Sequence, residues 1–359
     1  MQHYVFQGRT WGLRMLPFVI DAQLQDLVDQ RKAGYRRESM KIIGFLSKRT
    51  LADLTEARRE SFKHPRNIRI AESDGYELWR FSSAGGLEEG FYALQTPERF
   101  VFLMSKAPSK FFKWRLLPFA WKLYPELIRV YATSLELFRV LSSYQKLQGE
   151  SLFCSSVVMK RLFGEKFTDV HFGADKPFED VFRIASTRGA WVDYIQVYDE
   201  DKKHVVLSVS RDGRVSVRRG SFAKIFEAIL LPLTEQASKK YDFMNHRERQ
   251  SQPQNQINPF LITYDESLFD KREVINRLRN VIETYTYCYY TVVHSGNPYL
   301  YMMISDMLDN SAFSVRTSGD RTLMVVPQVR TTPDSLIRFH RFLSEQFREG
   351  KLEEPTKAM

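Results

Sequence analysis

Val170-His171-Phe172-Gly173-Ala174-Asp175-Lys176-Pro177-Phe178 is a stretch that the chain nearly repeats, two residues shorter, as Val293-His294-Ser295-Gly296-Asn297-Pro298-Tyr299. A similar order of predicted elements surrounds both stretches: helix, strand, turn, helix, two strands and helix. Helices that pack on one face of a small antiparallel sheet form an α+β sandwich. The repeat therefore predicts two related α+β sandwich modules, which could continue each other's sheet as a pseudo-dimer.

The first copy spans residues 150–235 and shows clear periodicity. Apolar residues at helical spacing predict a helix after the Gly173–Pro177 turn and another that Ser221 caps. Alternating residues predict the strands 166–172, 191–198, 204–210 and 214–218.

The second copy spans residues 259–359 and follows a similar pattern. The turn at Gly296-Asn297-Pro298 predicts the start of a helix, and Thr332 with Pro333 predicts the start of the last one. The helix after Pro298 would carry Leu300, Met303, Ile304 and Met307 on one face. The other predicted elements are a helix at 274–282 and strands at 287–293, 312–316 and 322–329.

Length and composition predict several folded domains. A chain of 359 residues is longer than a single hydrophobic core normally supports. A content of 43% hydrophobic and 27% charged residues is typical of a folded chain. A polar segment rich in Gln and Asn separates the two copies. The predicted organisation is a helical and β-meander region at 1–106, a helical connector at 107–149, the first copy at 150–235, a polar linker at 236–258 and the second copy at 259–359.

The amino-terminal region combines helices and strands. Residues 21–63 predict three short helices: one carries Leu24, the second carries Met40 and Ile43, and Thr50 caps the third. Four aromatic-rich segments at 67–71, 76–81, 90–94 and 99–104 then predict an antiparallel meander. Helices followed by strands suggest a winged helix, whose third helix would enter the major groove. The alternative is an ordinary helical bundle with a solvated basic face.

Positive charge is concentrated in two segments. The net charge is +10, but residues 31–69 alone hold 12 Lys/Arg against 4 Asp/Glu, and residues 106–122 hold 5 Lys/Arg and no acid. Local excess of this kind favours a polyanion-binding surface. The candidate nucleic-acid-binding residues are Arg36, Arg37, Lys41, Lys48, Arg49, Arg58, Arg59, Lys63, Arg66, Arg69, Lys110, Lys113, Trp114 and Arg115.

The second basic segment interleaves cations with aromatic residues around Trp114. Such residues can stack on unpaired bases while the cations hold phosphates. The same composition suits an amphipathic segment on an anionic membrane or a partner protein. It also suits a core in which Phe and Trp are buried while Lys and Arg extend to water.

Signatures of catalysis and metal binding are lacking in the sequence. It contains no P-loop, dinucleotide-binding glycine motif, H-E-x-x-H, C-x-x-C or G-x-S-x-G. His171 and His294 could help the repeated turn to bind an anion, although strand-edge capping explains them equally. A magnesium-dependent nuclease would use Asp193, Asp199, Glu200, Asp201 and Lys203. Those charges also suit an ordinary hairpin tip.

Other features set the expected context. Two cysteines cannot build a disulfide framework, and no apolar run reaches the length of a spanning helix. We expect a cytoplasmic protein without integral membrane association. No stretch carries a signature that identifies a family.

The combined observations predict a non-enzymatic nucleic-acid-binding protein, a component of a larger assembly, that needs no metal or cofactor. DNA and RNA are equally compatible with the sequence. The alternatives are a structural or protein-interaction module that uses the twin sandwiches, and the magnesium-dependent nuclease.

Overall fold

The chain forms two compact units in a computed structural model. One unit comprises Met1–Met159 with Thr168–Ala237, and the other comprises Lys160–Phe167 with Ser238–Met359. Both contain helices and antiparallel sheet, so the fold class is α+β. The structure describes residues 3–6, 9–12, 24–25, 39–47, 49–58, 67–73, 76–81, 89–95, 100–161, 166–200, 206–247, 258–296, 299–328 and 330–355.

The first unit contains a small hairpin and a large sheet. Strands β1 (His3–Phe6) and β2 (Arg9–Gly12) form the hairpin. The large sheet has the order β10-β9-β11-β12-β13-β3-β7-β6-β5-β4, with β8 also paired to β3. Its strands are β3 (Met40–Ser47), β4 (Asn67–Ser73), β5 (Tyr76–Phe81), β6 (Glu89–Gln95), β7 (Phe100–Ser105), β8 (Leu127–Arg129), β9 (Leu152–Lys160), β10 (Lys166–Pro177), β11 (Trp191–Asp199), β12 (Val206–Ser210) and β13 (Arg214–Arg219).

Strand β3 connects the two halves of this sheet. It pairs antiparallel with β13 on one side and with β7 and β8 on the other. Every side chain of β3 except Lys41 is buried, as expected for a central strand. The predicted helix through Met40, Ile43 and Leu46 is therefore wrong.

The loss of that helix removes the three-helix set on which the winged-helix interpretation depended. The third predicted helix is confirmed as α1 (Leu51–Ala57). Thr50 caps it as predicted, since its side chain accepts a hydrogen bond from the Asp53 amide. Leu24 is helical, but residues 26–38 lie outside the described part of the chain. The four predicted meander strands are confirmed as β4 to β7.

Apart from the helical residues 24–25, five helical segments in the described part of the chain belong mainly to the first unit. Helix α3 begins with a capping box, in which Thr133 and Glu136 each accept a backbone N–H, and it ends at Gly149 with φ 75°. A left-handed residue of this kind is normally glycine. The segments are α1, α2 (Ser109–Phe111, Phe112–Leu116 and Leu117–Lys122), α3 (Ser134–Gln148), α4 (Phe178–Thr187) and α5 (Phe222–Ile225, Phe226–Leu230 and Leu231–Asn245).

Helices α2 and α5 each contain a π-helical turn just before a proline. The turn Phe112–Leu116 precedes Pro118, and Phe226–Leu230 precedes Pro232. Proline lacks an N–H and its ring would collide with the carbonyl four residues earlier, so a wider turn relieves the conflict. Both helices consequently continue past their proline. Ser221 immediately precedes α5 as predicted, but its side chain makes no capping hydrogen bond.

One core of the first unit lies between the β3–β7 part of the sheet and the helices α1 and α2. Trp79, Phe91 and Phe119 stack against each other there, with ring centroids 5.8–6.2 Å apart. Leu54, Leu103 and Leu116 are completely buried in the same cluster. This core fixes the position of α2 on the sheet.

In its described part, the second unit contains a six-stranded antiparallel sheet, two complete helices and the end of α5. The order of its strands is β15-β16-β17-β18-β14-β19. Its elements are β14 (Phe260–Thr263), α6 (Arg272–Glu283), β15 (Cys288–Ser295), β16 (Leu300–Asp306), β17 (Ser311–Thr317), β18 (Thr322–Pro327), α7 (Pro333–Gln346) and β19 (Lys351–Glu353). The buried residues of α6 and α7 follow helical spacing, and Thr332 caps α7 as predicted.

The repeated sequence stretches adopt different structures. In the first copy, strand β10 extends through Pro177 without the predicted turn, and α4 then begins at Phe178 as predicted. In the second copy, Leu300–Asp306 is strand β16, so the helix predicted after Pro298 is wrong. The described part of the second copy therefore runs strand, helix, four strands, helix, strand. Helix α5 also continues to Asn245, and residues 248–257 lie outside the described part.

None of the helices in the described part of the chain is long and apolar enough to cross a membrane.

Candidate nucleic-acid-binding groove

The floor of the candidate site is a polar patch on the large sheet. Strand pairing aligns Gln196, Ser208, Ser216, Lys41 and Ser105 in one row across five strands. The intervening residues of β12 and β13 are leucine and valine and are buried on the opposite face. Strand alternation thus makes one face of this region apolar and the other polar.

Helix α2 forms a wall beside this floor. A groove of about 550 Å³ lies between them, within the size range of ligand-binding sites. Ser109, Phe112, Lys113 and Leu117 line it from the helix, and Tyr194 adds an aromatic ring from β11. All these residues belong to the first unit.

Three cationic residues line the groove, namely Lys41, Lys113 and Arg214, and none of its lining residues in the described part of the chain is acidic. The Lys41 ammonium donates to the carbonyl oxygens of Ala107 at 3.0 Å and Ser39 at 3.3 Å. Among the described residues, the lining of the groove thus carries three cationic side chains and no carboxylate. The groove is therefore suited to an anionic ligand.

Arg214 is oriented by Asp212. The Arg214 Nε and Nη2 atoms lie 3.0 and 2.8 Å from the two carboxylate oxygens of Asp212, and Arg129 Nη2 lies 2.6 Å from Oδ2. Burial raises the pKa of Asp212, but the two guanidinium groups and the Ser210 hydroxyl outweigh it and lower that pKa to about 2. Asp212 is thus ionised at neutral pH and holds Arg214, which is 51% exposed, at the groove.

Serine hydroxyls on the floor are held by defined hydrogen bonds. Ser216 donates to the Ser39 hydroxyl at 2.8 Å, and Ser210 donates to Asp212 at 2.5 Å. Ser208, Ser210 and Ser216 line the groove from the sheet, where Ser208 and Ser210 are largely buried. Hydroxyl groups beside cations are common ligands for phosphate and sugar oxygens.

The outer surface of α2 displays an aromatic and cationic cluster. The π-helical turn buries Phe112 and Leu116 and leaves Lys113, Trp114 and Arg115 consecutively exposed between them. Trp114 is 66% exposed, and the Lys113 ammonium lies 5.0 Å from its ring centroid. That distance is within cation–π range. Trp121, also 60% exposed, follows on the same helix.

The structure brings together some of the predicted binding residues. Lys41 and Lys113 line the groove, while Lys110, Trp114 and Arg115 are exposed on α2 beside it. Arg49 is exposed before α1. Arg58 pairs with Glu126 at 2.9 Å and is not among the residues that line the groove. Only the backbone of Arg69 is described, and Arg36, Arg37, Lys48, Arg59, Lys63 and Arg66 lie outside the described residues.

Sequence reasoning missed the contribution of the sheet to this site. Arg214, Tyr194 and the serines were assigned to strands but not to a ligand site. The alternation of Ser with Val in 206–217 indicated one polar face. It could not indicate that β13 pairs with β3, whose Lys41 completes the site.

The predicted nuclease residues do not form a metal cluster where they are described. Asp199 is buried at the end of β11, and Asp193 lies 3.9 Å from Arg211. Asp201 and Lys203 lie outside the described residues. No group of three or more His, Cys, Asp or Glu that could hold a metal ion occurs elsewhere in the part of the chain that the structure describes.

The two repeated histidines occupy strands. His294 pairs with Tyr301 across the β15–β16 ladder, and its ring lies 5.7 Å from that of Tyr299. The backbone of His171 is within β10, and its side chain is not described. Since Leu300–Asp306 is strand β16, the predicted helix and the anion site at its start do not form in these described residues of the second copy.

Comparison with known proteins found no match: no protein-family model matches the chain, and no curated protein is significantly similar to it.

Proposed function

We propose that this protein binds single-stranded nucleic acid through the groove and the adjoining surface of helix α2, without catalysing a reaction. The observation that supports the proposal most directly is the combination of Lys41, Lys113 and Arg214 around a hydroxyl-rich floor. Phosphates would contact the cations.

Exposed aromatic rings favour a single strand over a duplex. Trp114 and Trp121 are each more than half exposed on α2, and Tyr194 lines the groove. Bases stack on such rings only when they are unpaired, and stacking is tolerant of sequence. The proposal therefore expects weak sequence preference and strong salt dependence.

The first test is fluorescence anisotropy with labelled single- and double-stranded DNA and RNA between ~50 and ~200 mM salt. We expect single strands to bind more tightly than duplexes, with affinity that falls steeply as salt increases. Comparison of the DNA and RNA probes identifies the preferred sugar. Absence of binding at the lowest salt, or affinity that is independent of salt, would contradict the proposal.

Charge reversal locates the surface. The double variant Lys110→Glu/Lys113→Glu should bind all probes more weakly and lower the salt slope by ~1 for each lost phosphate contact. The variant Trp114→Ala should weaken single-strand binding by ~1–3 kcal/mol, or roughly 5- to 150-fold. Arg321→Glu/Lys351→Glu is the matched control, because both cations are more than half exposed in the second unit. Equal losses in the control would mean that only net charge matters.

Three parts of the sequence prediction stay predictions: a cytoplasmic location, membership of a larger assembly, and a pseudo-dimeric relationship between the two copies.

A further inference from the structure

Strand β15 is an edge strand with an unusually apolar exposed surface. It lies at one end of the six-stranded sheet and pairs only with β16 in the described part of the chain. Every residue from Tyr289 to Ser295 is exposed, including Tyr289 at 69% and Tyr290 at 44%. An edge strand presents a row of unpaired backbone N–H and C=O groups on its outer side.

Exposed apolar residues are concentrated around this strand. Of the twelve large hydrophobic side chains exposed in the described residues, eight lie between positions 287 and 307: Tyr287, Tyr289, Tyr290, Val292, Val293, Tyr299, Met303 and Met307. A local concentration of exposed apolar side chains on a folded protein is typical of an interaction site.

The edge lacks most of the usual protection against strand pairing. Natural edge strands commonly carry Lys, inward-pointing charges or Pro. Residues 288–295 include none of Lys, Arg, Asp, Glu or Pro. A bulge between Val292 and His294 is the one protective feature, and it limits the regular edge to Cys288–Val292.

We propose that β15 pairs antiparallel with β15 of a second copy of this chain, so that the protein is a symmetric dimer with a continuous sheet. Two copies of an uncharged strand can approach each other without electrostatic repulsion. A charged partner strand would find no opposite charge in residues 288–295 to pair with. Self-pairing over Cys288–Val292 places Tyr290 at the two-fold axis, opposite Tyr290 of the other copy. Tyr289 then lies opposite Thr291 of the other copy.

This register produces favourable cross-strand neighbours. Aromatic pairs and aromatic–β-branched pairs stabilise antiparallel sheets. Tyr289 and Thr291 pair within the chain with Ser305 and Met303, which places all four on the same sheet face. Met303 is 43% exposed there and would join the contact.

The exposed area suits a weak, concentration-dependent dimer. With ~200 Å² for a fully exposed Tyr or Met side chain, the eight residues expose roughly 750 Å² per copy. Edge pairing over Cys288–Val292 buries only the part of this area that faces the partner strand, so the interface lies at the small end of the range for specific contacts.

The test is sedimentation equilibrium of the full chain after nuclease treatment, which prevents bridging by nucleic acid. We expect a concentration-dependent monomer–dimer equilibrium for the wild type. In Tyr289→Lys/Thr291→Lys, two pairs of like charges face each other, and the dimer dissociation constant should rise at least about tenfold. Far-ultraviolet circular dichroism should be unchanged, because both substituted side chains are exposed.

The charge-matched variant Tyr289→Glu/Thr291→Lys distinguishes the proposed register from general disruption. Opposite charges face each other in it, so its dimer should be at least about fivefold tighter than that of the double-lysine variant. A wild type that stays monomeric overturns the proposal. So does a dimer that the double-lysine variant leaves intact, or one that both variants weaken equally.

Discussion

Asp212 links the stability of the sheet to the chemistry of the groove. Its carboxylate accepts bonds from Arg129, Arg214 and Ser210 in the turn between β12 and β13, while it is only 19% exposed. Because its pKa in the folded protein is lowered from 3.8 to about 2, the folded state binds this proton less readily than the unfolded state. The ionised form therefore stabilises the fold.

This linkage predicts a specific acid response. The contribution of Asp212 is fully present above ~pH 4 and is lost as pH falls through ~2, and it amounts to about 2 kcal/mol. The free-energy difference between wild type and Asp212→Asn should therefore shrink by that amount between ~pH 5 and ~pH 2. Urea unfolding at several pH values measures it. Asp320→Asn serves as control, since its partner Arg321 lies 3.8 Å away and both are more than half exposed. A constant difference at all pH values would contradict the assignment.

Helix α3 shows how a local signal and a tertiary contact act together. The Thr133 hydroxyl accepts from the Glu136 amide at 3.2 Å, and the Glu136 carboxylate accepts from the Thr133 amide at 2.7 Å. The Ser134 hydroxyl also accepts from the Val192 amide at 3.0 Å. The first turn of α3 is thereby attached to strand β11, which carries Tyr194 at the groove.

Removal of this cap should destabilise the first unit measurably. Thr133→Ala removes one acceptor for a helix N–H and should cost about 1 kcal/mol of unfolding free energy. Thr133→Ser keeps the hydroxyl and should retain most of that stability. Chemical denaturation monitored by tryptophan fluorescence compares the two. Equal losses in Thr133→Ala and Thr133→Ser would show that the methyl group, not the cap, matters.

Over the whole molecule, the chain divides into two compact units, and the second contains a buried ion-pair cluster. In the second unit, Arg338 of α7 donates to Asp306 at 2.6 Å and to Asp309 at 2.8 Å, and Arg338 and Asp306 are almost completely buried. Burial raises the pKa of Asp309, but Arg338 and the neighbouring hydroxyl bonds reverse this and hold it below its usual value. All five tryptophans, at positions 11, 79, 114, 121 and 191, belong to the first unit.

This distribution predicts that two probes of unfolding will differ. Arg338→Met leaves the buried Asp306 charge without its partner and should cost ~3–5 kcal/mol. The unfolding transition followed by circular dichroism should shift to a lower denaturant concentration, because circular dichroism also reports on the second unit. The transition followed by tryptophan fluorescence should keep its midpoint, because all five tryptophans lie in the first unit. Arg341→Met removes an i,i+4 pair with Glu345 and should cost less than ~1 kcal/mol. If both probes shift together in Arg338→Met, the chain unfolds as one cooperative body.

Local signals were reliable where neighbouring residues decide the structure. The meander, the Thr50 and Thr332 caps, and the helix starts at Phe178 and Phe222 were all predictable. The two segments that were wrongly predicted to be helices are strands for a common reason. Residues 40–47 are buried on both faces, and residues 300–306 are buried at alternate positions, yet both segments also contain apolar residues at helical spacing. Burial by distant strands decided between the two periodicities.

The sequence by itself determined the α+β class, the concentration of positive charge, and the basic aromatic segment around Trp114. Those properties depend on composition and on residues close together in the chain. Only the tertiary structure decided that Lys41 faces the serines of β12 and β13, and that β15 is left at an edge. Ser39 and Ser216, which meet at the groove, are 177 residues apart in the chain. Strand pairing over such distances is selected by the packing of the whole sheet, because backbone hydrogen bonds alone do not specify which strands become neighbours.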